Sequence, residues 1–99
     1  MTITKELNGS TLKISLSGRL DTLTSPQLDS EIKETISGVT ELIFDFDDLA
    51  YISSAGLRVL LSTQKIMNKQ GSMLIRNAKP EIMDVFEVTG FIDILNIEE

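Results

Sequence analysis

Cysteine and histidine are both missing from this sequence of 99 residues. Without cysteine the chain can form no disulfide bond, which fits a reducing compartment and predicts a cytoplasmic location. Without histidine, nucleophile systems of the Ser-His-Asp and Cys-His kinds are impossible, and zinc sites of the usual Cys/His type are excluded. Any catalysis would therefore depend on carboxylates, lysines or hydroxyl groups.

Long apolar runs are missing as well. No stretch approaches the roughly 20 apolar residues that cross a bilayer, and Met1–Lys5 has no apolar segment of the kind found in a secretory signal. The net charge of −6 argues against a nucleic-acid partner, which requires clustered lysine and arginine. We therefore expect a soluble chain, without a membrane partner, that binds a protein with a basic or mixed surface.

The length is about the commonest size for one domain, and we expect residues 1–99 to form a single domain. Asn8-Gly9 is a strong signal for a two-residue turn. After it, Leu12, Ile14 and Leu16 alternate with polar residues, as on a half-buried strand, until Gly18 ends that strand and residues 19–22 form a loop. The start of the chain therefore predicts a β-hairpin.

Three helices alternate with two short strands in the rest of the sequence. The first helix has Ser25 as N-cap and Pro26 as its first residue, and the apolar run Leu42–Phe46 predicts a strand covered on both faces. The first helix is predicted at residues 26–37, and the second follows Ser54 and stops before Gly71. A strand is predicted at 73–75 and a third helix from Pro80 to Gly90, and residues 91–95 form a last strand or an extended tail. This order, a β-hairpin followed by α-β-α-β-α, indicates an α/β fold with a mixed β-sheet.

The junction before the second helix is the best candidate for a functional site, because ligands of open α/β sheets collect where strands lead into helix N-termini. Ser53 and Ser54 precede this helix, and the small residues Ala55 and Gly56 lie in its first turn. Free N–H groups and the helix dipole can stabilise a phosphate there. The local pattern alone favours a simpler interpretation, in which Ser53 or Ser54 caps the helix.

The acidic residues Asp45, Asp47 and Asp48 do not predict a metal site. Consecutive residues of a strand point to opposite faces, so these carboxylates do not converge readily. A solvated strand end is the better interpretation, and we expect no metal ion.

The segment Asp48–Leu61, with the sequence DLAYISSAGLRVLL, resembles the signature of the STAS domain. More narrowly, it is similar to that of the bacterial anti-sigma factor antagonists. Further similarities lie in Gly18–Asp21, Gly71–Leu74 and Val88–Phe91, so the resemblance covers essentially the whole chain. It implies a STAS-like fold, in which the helices pack mainly on one face of the mixed β-sheet.

The resemblance also assigns roles to residues. The phosphorylated hydroxyl of the family lies two residues before the motif glycine, which is the position of Ser54, and we expect the second helix to begin within about two residues of it with the hydroxyl accessible. Ser53 replaces an acidic residue that often precedes this position, and it is the second choice of acceptor. Asp21 matches an acidic position near the acceptor, although a loop or cap carboxylate explains it equally well. The expected partner-binding residues are Asp21, Ser53, Ser54, Ala55, Gly56 and Arg58, the last of which could also be a surface helix former.

The function implied by the resemblance is that of an anti-sigma factor antagonist, which is not an enzyme and needs no cofactor. The unmodified chain would bind an anti-sigma factor that is also a protein serine kinase, and a sigma factor would be released. Phosphorylation of Ser54 would end this binding, and a metal-dependent serine phosphatase would restore it. One alternative is a constitutive STAS scaffold or transporter-associated module without phosphorylation. Another is a small hydrolase using Asp21 and Asp48, which the missing histidine disfavours.

Overall fold

The computed structural model describes residues 1–98 of the chain. Within them, four strands form one mixed sheet in chain order: β1 (Thr2–Asn8), β2 (Thr11–Leu20), β3 (Glu41–Ile52) and β4 (Ser72–Arg76). β1 pairs antiparallel with β2, whereas the pairs β2–β3 and β3–β4 are parallel. The same residues form three α-helices, α1 (Ser25–Thr35), α2 (Ser54–Gln70) and α3 (Pro80–Thr89). The predicted order of a hairpin followed by α-β-α-β-α is therefore confirmed.

The hydrophobic core lies on one face of this sheet. Leu12, Leu42 and Met73 are in register across β2, β3 and β4, as are Ile14, Phe44 and Ile75, and all six are buried. The helices complete the same cluster with Leu28 and Ile32 of α1, Leu57, Leu60 and Met67 of α2, and Ile82 and Phe86 of α3. The helices thus pack on one face, as expected.

The opposite face of the sheet is polar and partly exposed. Ser15, Asp45 and Arg76 are in register on it, and Lys13 lies beside them within 3.8 Å of the Asp45 carboxylate. The prediction that the strand at 42–46 is covered on both faces is therefore wrong. Alternate residues of β3 are buried, and Ile43 and Asp45 between them are only half-buried.

Because of strand pairing, the hairpin loop and the end of β2 lie at other residues than the local sequence pattern predicts. Asn8 still pairs with Thr11, so the hairpin loop is Gly9-Ser10 instead of Asn8-Gly9. Of the two residues predicted to need positive φ, only the glycine has it, at 61°. Gly18 does not end β2; its φ is 102° and it lies at a shift of register between β2 and β3, which is a bulge within a strand that continues to Leu20.

The later elements show similar differences. β3 runs past the predicted end at Asp47-Asp48 to Ile52, because Leu49 and Ile52 are buried and pair with the extended part of β2. α1 begins at Ser25, with Thr24 at the N-cap position instead of Ser25. The predicted last strand or extended tail is wrong for residues 91–93, which form a short 3-10 helix. Ile97 then makes a parallel bridge with Ile75 on the outer edge of β4.

None of the helices within residues 1–98 is both long enough and apolar enough to span a bilayer.

Candidate functional site

The junction between β3 and α2 places the two serines in different roles. Ser53 is the N-cap of α2, with extended backbone angles, and its hydroxyl oxygen accepts the N–H of Gly56 at 3.4 Å. Its own N–H donates to the carbonyl of Leu20 at 2.9 Å, which fixes it at the end of the sheet. Ser53 is therefore the capping residue that the local pattern left undecided.

Ser54 is the first residue of α2, and its side chain is exposed. Among the side-chain hydrogen bonds of residues 1–98, none involves its hydroxyl group. The expected helix start near Ser54 and its accessible hydroxyl are confirmed. This hydroxyl is thus free to react, whereas the neighbouring Ser53 is half-buried and engaged in the cap.

The small residues of the first turn let α2 approach the ends of β2 and β3. A Cβ atom added to Gly56 would lie 2.8 Å from Cγ of Leu20 and 2.9 Å from Cγ1 of Ile52. Gly56 is itself buried, so its part in the site is to set the position of the helix start and not to offer surface to a partner. Ala55 is half-buried beside it and borders a groove.

Asp21 organises the loop that runs from β2 to α1 next to this junction. Its Oδ1 atom accepts the N–H groups of Leu23 and Thr24, both at 3.0 Å, and the Thr24 hydroxyl accepts the Asp21 N–H at 2.9 Å. The hydrogen bond from the Thr24 N–H is the main reason that the pKa of Asp21 lies below its usual value, with smaller contributions from the Thr24 hydroxyl, the Leu23 N–H and Arg19. These bonds are those of a loop carboxylate, the simpler of its two interpretations.

The same loop presents an apolar side chain that the sequence did not single out. Leu23 is 88% exposed, although its own N–H and that of Thr24 both donate to the Asp21 carboxylate. Tyr51, near the end of β3, is 40% exposed, and the guanidinium carbon of Arg19 lies 4.0 Å from its ring centroid. In the sequence, the only signal for Leu23 is an apolar residue in a loop without a place in any periodic pattern.

A shallow groove of about 380 Å³ separates α1 from α2 beside the two serines. Across it, Arg58 of α2 faces Asp29 and Lys33 of α1, which form an ion pair with each other at 2.7 Å. Arg58 is exposed, and among the ion pairs of residues 1–98 none includes it. The groove is lined by Thr22, Ser25, Pro26, Asp29, Lys33, Ala55, Arg58, Val59 and Ser62.

The carboxylates of β3 lie apart from this junction. Burial raises the pKa of Asp45, but hydrogen bonds from the Asn77 side chain and the Asp47 N–H, together with nearby cations, outweigh it and hold the pKa below its usual value. Asp47 and Asp48 are exposed. In the part of the chain that the structure describes, no three acidic side chains come together in a way that could hold a metal ion.

Comparison with known proteins places this chain in a family. The family model described as the STAS domain matches residues 2–99. BtrV of Bordetella bronchiseptica, whose name assigns it provisionally to the anti-sigma factor antagonists, is 34% identical over 84 residues, which are 83% of this chain and 72% of that protein. The anti-sigma-B factor antagonist of Bacillus subtilis is 28% identical over 91 residues, which are 91% of this chain and 84% of that protein.

Solved structures share the fold. The anti-sigma factor antagonist SpoIIAA in its unphosphorylated form aligns with a TM-score of 0.78 at 22% identity, over 99% of this chain and 88% of that one. The phosphorylated form of SpoIIAA from Bacillus aligns with a TM-score of 0.77 at 24% identity, over 99% and 92% of the two chains. Since a family model matches nearly the whole sequence and a relative is 34% identical, this chain belongs to the STAS domain family and, within it, to the anti-sigma factor antagonists.

Proposed function

We propose that this chain is a phosphorylation-controlled binding switch. Its unmodified form binds an anti-sigma factor that is also a protein serine kinase, so that a sigma factor is released, and phosphorylation of Ser54 ends the binding. The observation that carries this proposal is the exposed hydroxyl of Ser54, which makes no hydrogen bond within residues 1–98 and begins α2. A relative in the family whose structure is known in a phosphorylated form supports it further.

In the transfer step, the Oγ atom of Ser54 attacks the γ-phosphorus of ATP in line with the bridging oxygen. The Oγ–P bond forms, the bond from the γ-phosphorus to the bridging oxygen breaks, and ADP leaves. The hydroxyl proton passes to a base of the kinase. The chain contributes an accessible nucleophile on a rigid helix start, while the catalytic base and magnesium belong to the kinase. A metal-dependent serine phosphatase reverses the modification by hydrolysis, which releases inorganic phosphate.

The switch acts through charge at the surface and needs no change of fold. A phosphate adds about −1.5 to −2 charges to a chain that already carries −6. Within the monomer, the helix dipole and the free N–H groups of the first turn accommodate it. Across an interface, the same group must lose water without a matched donor, and this lowers affinity.

The proposed partner-binding surface surrounds Ser54. It combines Asp21, Ser53, Ala55 and Arg58, which the sequence indicated, with the exposed side chains of Leu23 and Tyr51, which the structure adds. The loop that carries Leu23 is held by the hydrogen bonds of Asp21, so little conformational entropy is lost when a partner covers it. We further propose that residues 1–99 act as a single STAS domain in the cytoplasm.

The test is to incubate the purified chain with ATP and each candidate serine kinase of the same genome, and to locate any phosphate by mass spectrometry. The matched variants are Ser54→Ala and Ser53→Ala. We expect phosphate on the parent and on Ser53→Ala, and none on Ser54→Ala. Phosphate on Ser53 alone would transfer the assignment to that residue. A Ser54→Ala variant with wholly unchanged regulation in cells would favour a constitutive scaffold.

A further inference from the structure

We propose that Arg58 is the intramolecular counterion of phosphorylated Ser54. In this arrangement the phosphate forms an ion pair with the guanidinium one turn further along α2. Phosphorylation then does two things at once, because it adds an anion to the partner-binding surface and withdraws a cation from it. This inference rests on the proposed function only in taking Ser54 as the modified residue.

The spacing of the two residues carries the geometry. Ser54 and Arg58 are four residues apart in one continuous helix that runs to Gln70, so their side chains lie on the same face. The anion stands on the N-terminal side of the cation, which is the more favourable order for such a pair. Ser53 has no equivalent partner, since the residue four positions after it is the buried Leu57.

The availability of Arg58 distinguishes it from the other charged groups at this end of the molecule. Lys33 is paired at 2.7 Å with Asp29 of its own helix, α1. Arg19 lies over the ring of Tyr51, and its Nε atom is 3.8 Å from the Asp21 carboxylate. Arg58 is exposed, and no ion pair of residues 1–98 includes it. It is therefore the cation that can turn to a new phosphate without breaking an existing ion pair.

The chemistry of the two groups suits such a pair. A guanidinium presents N–H donors in a planar fork that matches two phosphate oxygens, which makes arginine the better phosphate partner of the two basic side chains. Before modification, the same fork can donate to a carboxylate of the binding partner. After modification, its donors point to a group of its own chain. The partner then meets a surface that has lost a donor as well as gained negative charge.

The experiment uses the full chain with phosphoserine installed at position 54 during translation, so it needs no kinase. The second pKa of the phosphate is measured by ³¹P NMR titration in the parent, in Arg58→Gln and in the matched control Arg19→Gln. Because Arg58 favours the dianion, we expect Arg58→Gln to raise this pKa by about 0.2–0.4 units. Arg19→Gln should leave it unchanged, and the difference should shrink in 1 M salt because the pair is exposed.

Two outcomes would overturn the inference: an unchanged pKa in Arg58→Gln, or an equal rise in both variants, which would indicate a general effect of net charge. The nearby charged groups Asp21, Asp29 and Lys33 are the same in all three proteins, so their effects on the phosphate pKa cancel in the comparison. The proposed function is tested separately, by incubation with ATP and the candidate kinases. Absence of phosphate on Ser54 in that assay would count against the proposed function and would leave this measurement unaffected.

Discussion

Gly56 is where the packing of the site can be tested most directly, and we expect Gly56→Ala to destabilise the fold. The added Cβ atom would lie 2.8 Å from Cγ and 3.0 Å from Cδ2 of Leu20, and 2.9 Å from Cγ1 of Ile52. Leu20 is fully buried and Ile52 is 3% exposed, so neither side chain can move into solvent. Real Cβ atoms essentially never come so close to a neighbour, and α2 must therefore shift.

The magnitude follows from two opposing effects. Overpacking a filled core costs about 1–3 kcal/mol. Alanine is favoured over glycine in helices by about 0.5–1 kcal/mol, which offsets part of it. The midpoints of these two ranges leave a net loss of unfolding free energy of about 1 kcal/mol, which corresponds to a fall in melting temperature of roughly 4–8 °C for a domain of this size.

Urea and thermal unfolding of Gly56→Ala, Leu20→Ala and the double variant form the assay. Because Leu20→Ala removes two of the three close atoms, Gly56→Ala should cost clearly less in that background, with a coupling above about 0.5 kcal/mol. A Gly56→Ala variant as stable as the parent, or additive effects of the two substitutions, would refute the packing argument.

The remaining predictions concern the two serines and the exposed loop. Ser53→Ala should lower the free energy of unfolding by about 0.5–2 kcal/mol through loss of the cap. Ser54→Ala should have the melting temperature of the parent and bind the kinase without being switched off. Equal falls in the melting temperatures of the two variants would contradict the different roles of the serines. Ser54→Asp should leave the free energy of unfolding unchanged or raise it by about 0.3–1 kcal/mol through the helix dipole. It should nevertheless weaken binding of the kinase about a hundredfold or more, as measured by calorimetry. Unchanged affinity would remove the switch from this position. Leu23→Ser should weaken kinase binding at least about fivefold, as expected for an apolar contact worth about 1 kcal/mol or more. The control Val88→Ser changes a residue of α3 that is equally exposed, at 87%, and should leave the affinity unchanged. Equal effects of the two substitutions would count against the proposed surface.

The sequence predicts the elements of this fold well because its apolar periodicities are strong. It predicts their ends less well, because those depend on residues distant in the chain. Gly18 looks like the end of a strand, but β2 continues beyond it, since Leu20 pairs with Ile52 of β3. The local sequence pattern does not reveal this pairing. The pairing places the bulge of Gly18 inside the strand.

The site was predicted in the same uneven way. Either serine suits an N-cap by residue type, and the hydrogen bond from the Ser53 N–H to Leu20, which lies 33 positions earlier in the sequence, decides between them. Leu23 was missed because its exposure results from the hydrogen bonds that Asp21 and Thr24 make around it. Side-chain networks of that kind leave no periodic trace in a sequence.

The different roles of the adjacent Ser53 and Ser54 have a consequence for the lifetime of the protein. The hydroxyl that stabilises α2 belongs to Ser53, and the one proposed to carry phosphate, on Ser54, makes no hydrogen bond within residues 1–98. Phosphorylation of Ser54, as proposed, therefore leaves the cap of α2 intact, and the favourable interaction of the phosphate with the helix dipole lowers the unfolded population on which proteases act. In the proposed switch, the phosphorylated form is then degraded no faster than the unmodified form, and one pool of protein can pass through many rounds of phosphorylation and dephosphorylation without new synthesis.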